Sequence, residues 1–207
     1  MDIITSEKLA KDFTMLLATI DPIGTLTLFV ALTANMDAKV RRRAAVKATL
    51  YAASILIASV VLGQIILDHM QISMPAFQIA GGVILFLFGL QMVFGVGEVS
   101  GRCHPEYGHD IAVFPLAIPS MASPGAIMAA VLLTDNNKFG IPTQAATAAI
   151  LLFILLLSLL GMLCAGRIHK IIGDNGAAVL IKIMGLLLAS VAVECVIHAF
   201  VELLAHS

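Results

Sequence analysis

The chain has 207 residues, 60% of them hydrophobic and 12% charged, with a mean hydropathy of +1.02 and a net charge of -1. A soluble domain is about half apolar and about a quarter charged, so this composition excludes a soluble globular protein and specifies an integral membrane one. Near-zero charge leaves no basic footprint for nucleic acid.

The N-terminal residues include Asp2, Glu7, Lys8, Lys11 and Asp12. That is not a basic leader, and no small-x-small cleavage site follows, so the first span is expected to be retained. A helix needs about 20 apolar residues to cross the bilayer. Six stretches qualify: 13–34, 44–67, 76–96, 111–134, 143–165 and 177–204. The connections 35–43, 68–75, 97–110, 135–142 and 166–176 are short and rich in turn residues. One integral membrane domain over 1–207 is therefore expected.

The first span is interrupted by Asp21-Pro22-Ile23-Gly24-Thr25. Lipid offers no partner for a free backbone N–H or C=O, so a break at membrane depth is costly unless it lines a protein cavity. Pro22 removes a donor and clashes with the preceding turn, while Gly24 permits the tight geometry in which a helix restarts. The restarting half-helix presents N–H groups at its positive end, which attract an anion such as a carboxylate. Thr25 and Thr27 add hydroxyls. An ionisable group at this depth marks an ion or proton path, or a partner for a substrate ammonium, and that group is Asp21. Asp before Pro is also a good helix start, so a capping role fits equally. A plain proline kink is the bland alternative for the whole motif.

The first connection carries Lys39, Arg41, Arg42 and Arg43, with Lys47 just beyond. Adding Arg102, Arg167 and Lys170 puts eight basic residues on one side, against Lys8, Lys11 and Lys138 on the other. The positive-inside rule then places both termini outside the cytoplasm. In the third span, Gly81, Gly82 and Gly89 suit close helix packing; Gln64 of the second span and Gln78 and Gln91 of the third suit helix-to-helix hydrogen bonds. His104, Glu106, His109 and Asp110 share a loop but lack metal-ligand spacing, so no metal site is expected. Cys103, Cys164 and Cys195 are too dispersed for a disulfide framework.

The fourth span holds the second break, Pro119-Ser120-Met121-Ala122-Ser123-Pro124-Gly125. Two prolines five apart free several carbonyls, which can coordinate a cation, beside two hydroxyls. The bland alternative is a kinked, tightly packed helix. In the last span Lys182 snorkels toward the polar region. Glu194 either carries a proton in a cavity or makes an interhelical hydrogen bond in its protonated form.

The halves are weakly alike. In one register Gly82 meets Gly185 and Gln91 meets Glu194, and Pro22 meets Pro124 when the offset is reduced by one. Repeat one covers about 1–100 and repeat two about 108–207, each with three spans. An odd number of spans inverts the second half, giving an inverted-topology repeat whose broken first helices face each other near the midplane.

Laid out this way, the chain resembles the MarC family, also called the small neutral amino acid transporter family. The resemblance covers essentially the whole chain. It rests on Asp21-Pro22-Ile23-Gly24, on Arg41–Arg43 and on Gln78-Ile79-Ala80-Gly81-Gly82. Phe114-Pro115-Leu116-Ala117-Ile118-Pro119 and Ile183-Met184-Gly185-Leu186 complete it. It implies a six-span inner-membrane protein of bacteria or archaea, some of whose relatives resemble ion-coupled transporters of glycine and alanine. The family commonly has Asn at Asp21, Gly at Ser123 and Gln at Glu194, so two extra carboxylates here make proton coupling more attractive.

The expectation is an all-α secondary transporter, not an enzyme, moving a small neutral amino acid with protons or sodium by alternating access. Asp21, Pro22, Gly24, Thr25, Ser120, Ser123, Pro124 and Gly125 would bind substrate, and Asp21 and Glu194 would couple the ion. No cofactor is expected; the bilayer is the surrounding partner, and a homo-oligomer is compatible with the sequence. The alternative is an exporter or channel for another small solute. Ser120 or Ser123 as a nucleophile would need a base, and no His stands at matching depth.

Overall fold

The computed structural model describes residues 6–33, 36–94 and 111–205, and every regular element among them is helical. The α-helices are α1 (Ser6–Ile20), α2 (Pro22–Thr33), α3 (Ala38–His69), α4 (Met74–Phe94), α5 (Pro124–Leu133), α6 (Ile141–Leu163) and α7 (Ala165–Ala205). An irregular helical segment, Ala112–Met121, precedes α5. Five spans are long and apolar enough to cross a bilayer: Ser6–Val30, Ala38–His69, Met74–Phe94, Ile141–Leu163 and Ile181–Leu204. Ala112–Met121 and Pro124–Leu133, bent by 53° at their junction, make a sixth.

Three boundaries differ from the sequence-based expectation. Helix α1 begins at Ser6, well before residue 13. Hydropathy reads its first turns as loop because they are charged. Lys8 and Asp12, however, stand four apart on one face and pair at 2.6 Å. Helix α3 begins at Ala38, so Arg41–Arg43 lie in its opening turns instead of a connection. Arg is a good helix former and needs no loop. Residues 166–176, expected as the fifth connection, belong to the 41-residue α7. A glycine costs about 1 kcal/mol in a helix interior, too little to end a helix whose other residues favour it. The connection 97–110, with Arg102, Cys103, His104, Glu106, His109 and Asp110, lies outside the described residues.

Packing follows membrane rules. Buried positions of α3 include Ala44, Ala45, Ala48, Ala52 and Leu56, while Leu50, Val61, Leu62, Ile65 and Ile66 are exposed. Lipid tails are as apolar as leucine, so small residues that let backbones approach take the interior. Helices α4 and α7 pack most extensively. A Cβ on Gly89 would stand 2.8 Å from the Gly185 carbonyl oxygen, and one on Gly185 equally close to that of Gly89. Gly82 faces Val196 and Ala192 of the same partner helix. The glutamines bind across elements. Gln78 Nε2 donates to the Cys195 carbonyl at 3.0 Å. Gln64 Nε2 donates to Asp135 Oδ1 at 2.9 Å, and its Oε1 accepts the Asn136 N–H at 2.6 Å. Cys164 and Cys195 are free thiols.

Candidate functional site: two helix breaks in contact

Asp21 lies eight residues, about 12 Å at 1.5 Å per residue, beyond Phe13, where the charged first turns of α1 give way to the apolar run, against a hydrocarbon layer about 30 Å thick. Asp21 has φ 46°, a left-handed conformation that Asp tolerates better than most residues. Its N–H closes α1 on the Leu17 carbonyl at 3.1 Å, and its own carbonyl opens α2 by accepting the Thr25 N–H at 3.0 Å. One residue thus ends one helix and starts the next. The Asp21 Oδ1 accepts the Gly24 N–H at 3.0 Å, satisfying an amide that the helix start would leave free. A Cβ on Gly24 would land on the Asp21 carboxylate, so a larger residue there forces that carboxylate to move.

The second break follows the same plan. Phe114 (φ -130°, ψ 125°) and Ile118 (φ -125°, ψ 126°) are extended, because a proline ring excludes the helical region for the residue before it. After Met121 the chain turns, and Ser123 (φ -67°, ψ 156°) caps α5. Its hydroxyl accepts the Ala126 N–H at 3.0 Å. In both half-helices a proline follows the cap, and the cap side chain accepts the N–H three residues on. Asp21 and Ser123 are counterparts.

The two breaks touch. Ser123 Oγ donates to the Thr19 carbonyl at 2.9 Å, a carbonyl near the end of α1. Thr25 Oγ1 and Ser120 Oγ lie 2.9 Å apart and share a hydrogen bond. Thr19, Asp21, Thr25 and Ser123 are buried, while Pro22, Gly24, Pro119 and Ser120 are half-buried. Gly125 is buried where Leu85 of α4 lies against α5, and a side chain there would displace it. Pro124 is exposed. The structure therefore brings Asp21, Pro22, Gly24 and Thr25 together with Ser120 and Ser123.

Two of the expected site groups have other neighbours here. The Gly24 N–H, expected to meet a substrate carboxylate, donates to Asp21 in the structure. Glu194, expected to share ion coupling with Asp21, does not join it. Glu194 is exposed on α7 and lines a separate cleft of about 750 Å³ with Lys11, Asp12, Gln78 and His198. None of the break residues lines that cleft. Sequence reasoning also missed the buried cluster of Lys8, Asp12 and Thr147. The four-residue spacing of Lys8 and Asp12 was its visible signal; Thr147, 135 residues from Asp12 along the chain, gave none.

Fold and site together define a multi-pass helical membrane protein with two interrupted spans in contact. Residues 6–204 match the model of the MarC family integral membrane proteins, and the chain belongs to that family. It is 34% identical over 195 residues to a "UPF0056 membrane protein" of Methanocaldococcus jannaschii, covering 90% of this chain and 92% of the relative. It is 28% identical over 204 residues to the "UPF0056 inner membrane protein MarC" of Escherichia coli, covering 92% of each. The Shigella flexneri protein of that name matches to the same extent. No solved structure matches the chain.

Proposed function

We propose that this protein is a secondary transporter of the inner membrane that moves a small neutral amino acid, driven by protons or sodium, by alternating access. The observation that carries the reading is the contact between the breaks. Thr25 with Ser120 and Ser123 with the Thr19 carbonyl join unwound backbone from both halves of the chain. Interrupted helices that meet inside a bundle are the usual framework of a transporter binding site. Solute enters where those hydrogen bonds open, its ammonium toward Asp21 and its carboxylate toward the start of α5. Ser120, Ser123 and Thr25 then orient it, and Gly125 sets how much side chain fits. The relatives named as inner membrane proteins support the location.

An inverted repeat fits the packing pattern. Helix α3 packs on the Ala112–Met121 segment and on α5, as α6 packs on α1 and α2. Helix α4 packs on α5, as α7 packs on α2. Exchanging the halves converts each of these contacts into another, which is what a pseudo-twofold axis in the membrane plane does. The Ser123 hydroxyl donates its proton to a backbone carbonyl and not to a side-chain base, which favours transport over catalysis.

The test is uptake of labelled glycine and alanine into liposomes holding the purified protein, with imposed proton or sodium gradients. Saturable uptake that follows one gradient, and that Asp21→Asn or Gly125→Leu abolishes in folded protein, is the expected result. Uptake that grows without saturation identifies a channel instead. Uptake untouched by either substitution refutes the site.

A further inference from the structure

A second polar cluster lies one helix-length from the breaks, where α1, the end of α5, the 134–140 connection and α6 converge. The ammonium of Lys8 sits at its centre. Nζ donates to Asp12 Oδ2 at 2.6 Å, to the Thr147 hydroxyl at 3.3 Å and to the Leu133 carbonyl at 3.4 Å. It also lies 4.0 Å from the centre of the Phe139 ring. Carboxylate, hydroxyl and backbone carbonyl oxygens are the ligands that hold hard cations, and an aromatic face attracts a cation electrostatically. Leu133 is the last residue of α5, the negative end of that helix.

The oxygens outnumber the three protons of an ammonium. Asp12 Oδ1 and Thr143 Oγ1 are both buried with no hydrogen-bond partner among the described residues. Asp12 is 1% exposed, Thr143 2% and Thr147 0%. Thr143 and Thr147 stand one turn apart on the same face of α6. The Thr147 hydroxyl lies 2.6 Å from Asp12 Oδ2 and 3.1 Å from the Thr143 carbonyl; with its proton toward the nearer oxygen, Oδ2 takes both donors while its twin has neither. A structural ion pair in such burial satisfies both carboxylate oxygens as a rule. Lys8 and Asp12 also line the 750 Å³ cleft, which gives small ions a route to them.

We infer that this cluster is a monovalent-cation site, filled in this chain by the tethered ammonium of Lys8. The lysine stands in for a free ion at this place, and taking its charge away turns the cluster into a sodium site. The inference concerns binding and holds whichever solute the breaks carry.

The experiment is thermal unfolding of the purified full-length protein in sodium chloride and in choline chloride at equal ionic strength. Choline is too large for the cluster. The native protein sets the reference difference between the two salts, to which any sodium held at the breaks contributes equally in every variant. Lys8→Gln keeps a donor for Asp12 but no charge. It is expected to gain several degrees in sodium beyond the native difference, saturating with concentration as linked binding requires. Adding Asp12→Asn to Lys8→Gln abolishes that gain. Lys8→Ala, which removes the donor as well, is expected to need sodium to be recovered folded. Equal unfolding of Lys8→Gln in the two salts overturns the inference. So does an additional gain that survives Asp12→Asn, or a sodium gain in Lys8→Gln no larger than that of the native protein.

Discussion

Substitution of Asp21 separates a cap from a ligand. Asp21→Ala removes the acceptor for the Gly24 N–H, worth about 1 kcal/mol at a helix start. It also puts a Cβ-bearing residue with no side-chain compensation at φ 46°, worth roughly 1–2 kcal/mol more. The expected loss is therefore about 2–3 kcal/mol. Asp21→Asn keeps an accepting oxygen and a tolerance for left-handed geometry, so it is expected to cost no more than about 1 kcal/mol. Asp21→Gly relieves the backbone, and glycine is a fair cap, so it falls near Asn. Gly24→Ala drives a Cβ into the Asp21 carboxylate and breaks the same hydrogen bond from the other side. It is expected to match Asp21→Ala. The assay is reversible unfolding in mixed micelles, read beside liposome uptake of the same variants. Asn with native-like stability and no uptake assigns the carboxylate to solute or ion. Alanine as stable as asparagine refutes the capping argument, because neither the hydrogen bond nor the left-handed backbone would then matter.

Ser123→Ala removes the cap of α5 and the bridge to Thr19 together and is expected to cost about 2–3 kcal/mol. Ser120→Ala loses one half-buried hydrogen bond and is expected to cost about 1 kcal/mol in the same unfolding assay. Gly89→Ala places a Cβ 2.8 Å from the Gly185 carbonyl oxygen and is expected to lower the melting temperature. Gly161→Ala meets nothing within 4 Å and is expected to stabilise α6 by about 1 kcal/mol. Gln64→Ala releases both ends of its bridge to Asp135 and Asn136. Faster amide exchange over 134–140, with α6 unchanged, is the expected readout.

Six spans and both breaks were legible in the sequence, for a local reason. A membrane span is defined by a run of apolar residues, and a proline beside a glycine or a carboxylate breaks a helix whatever surrounds it. Asp21-Pro22 and Ser123-Pro124 could therefore be read as helix starts, and Gly82 and Gly89 as sites of close packing. Boundaries were less legible where charge meets helix. At Lys8, Asp12 and Arg41–Arg43 hydropathy signals the end of an apolar run, but the helix continues, because Lys8 and Asp12 pair and arginine is itself a good helix former.

Partnership was settled only by the tertiary structure. Nothing local says that Ser123 reaches Thr19, 104 residues away, or that Thr25 meets Ser120. Nothing local turns Glu194 toward the cleft and away from Asp21, or sets Thr147 against Asp12. A side chain's hydrogen-bonding capacity is fixed by its own atoms and can be read residue by residue. Which group meets it depends on how helices far apart in sequence cross, and that is decided by small residues packing over their whole length.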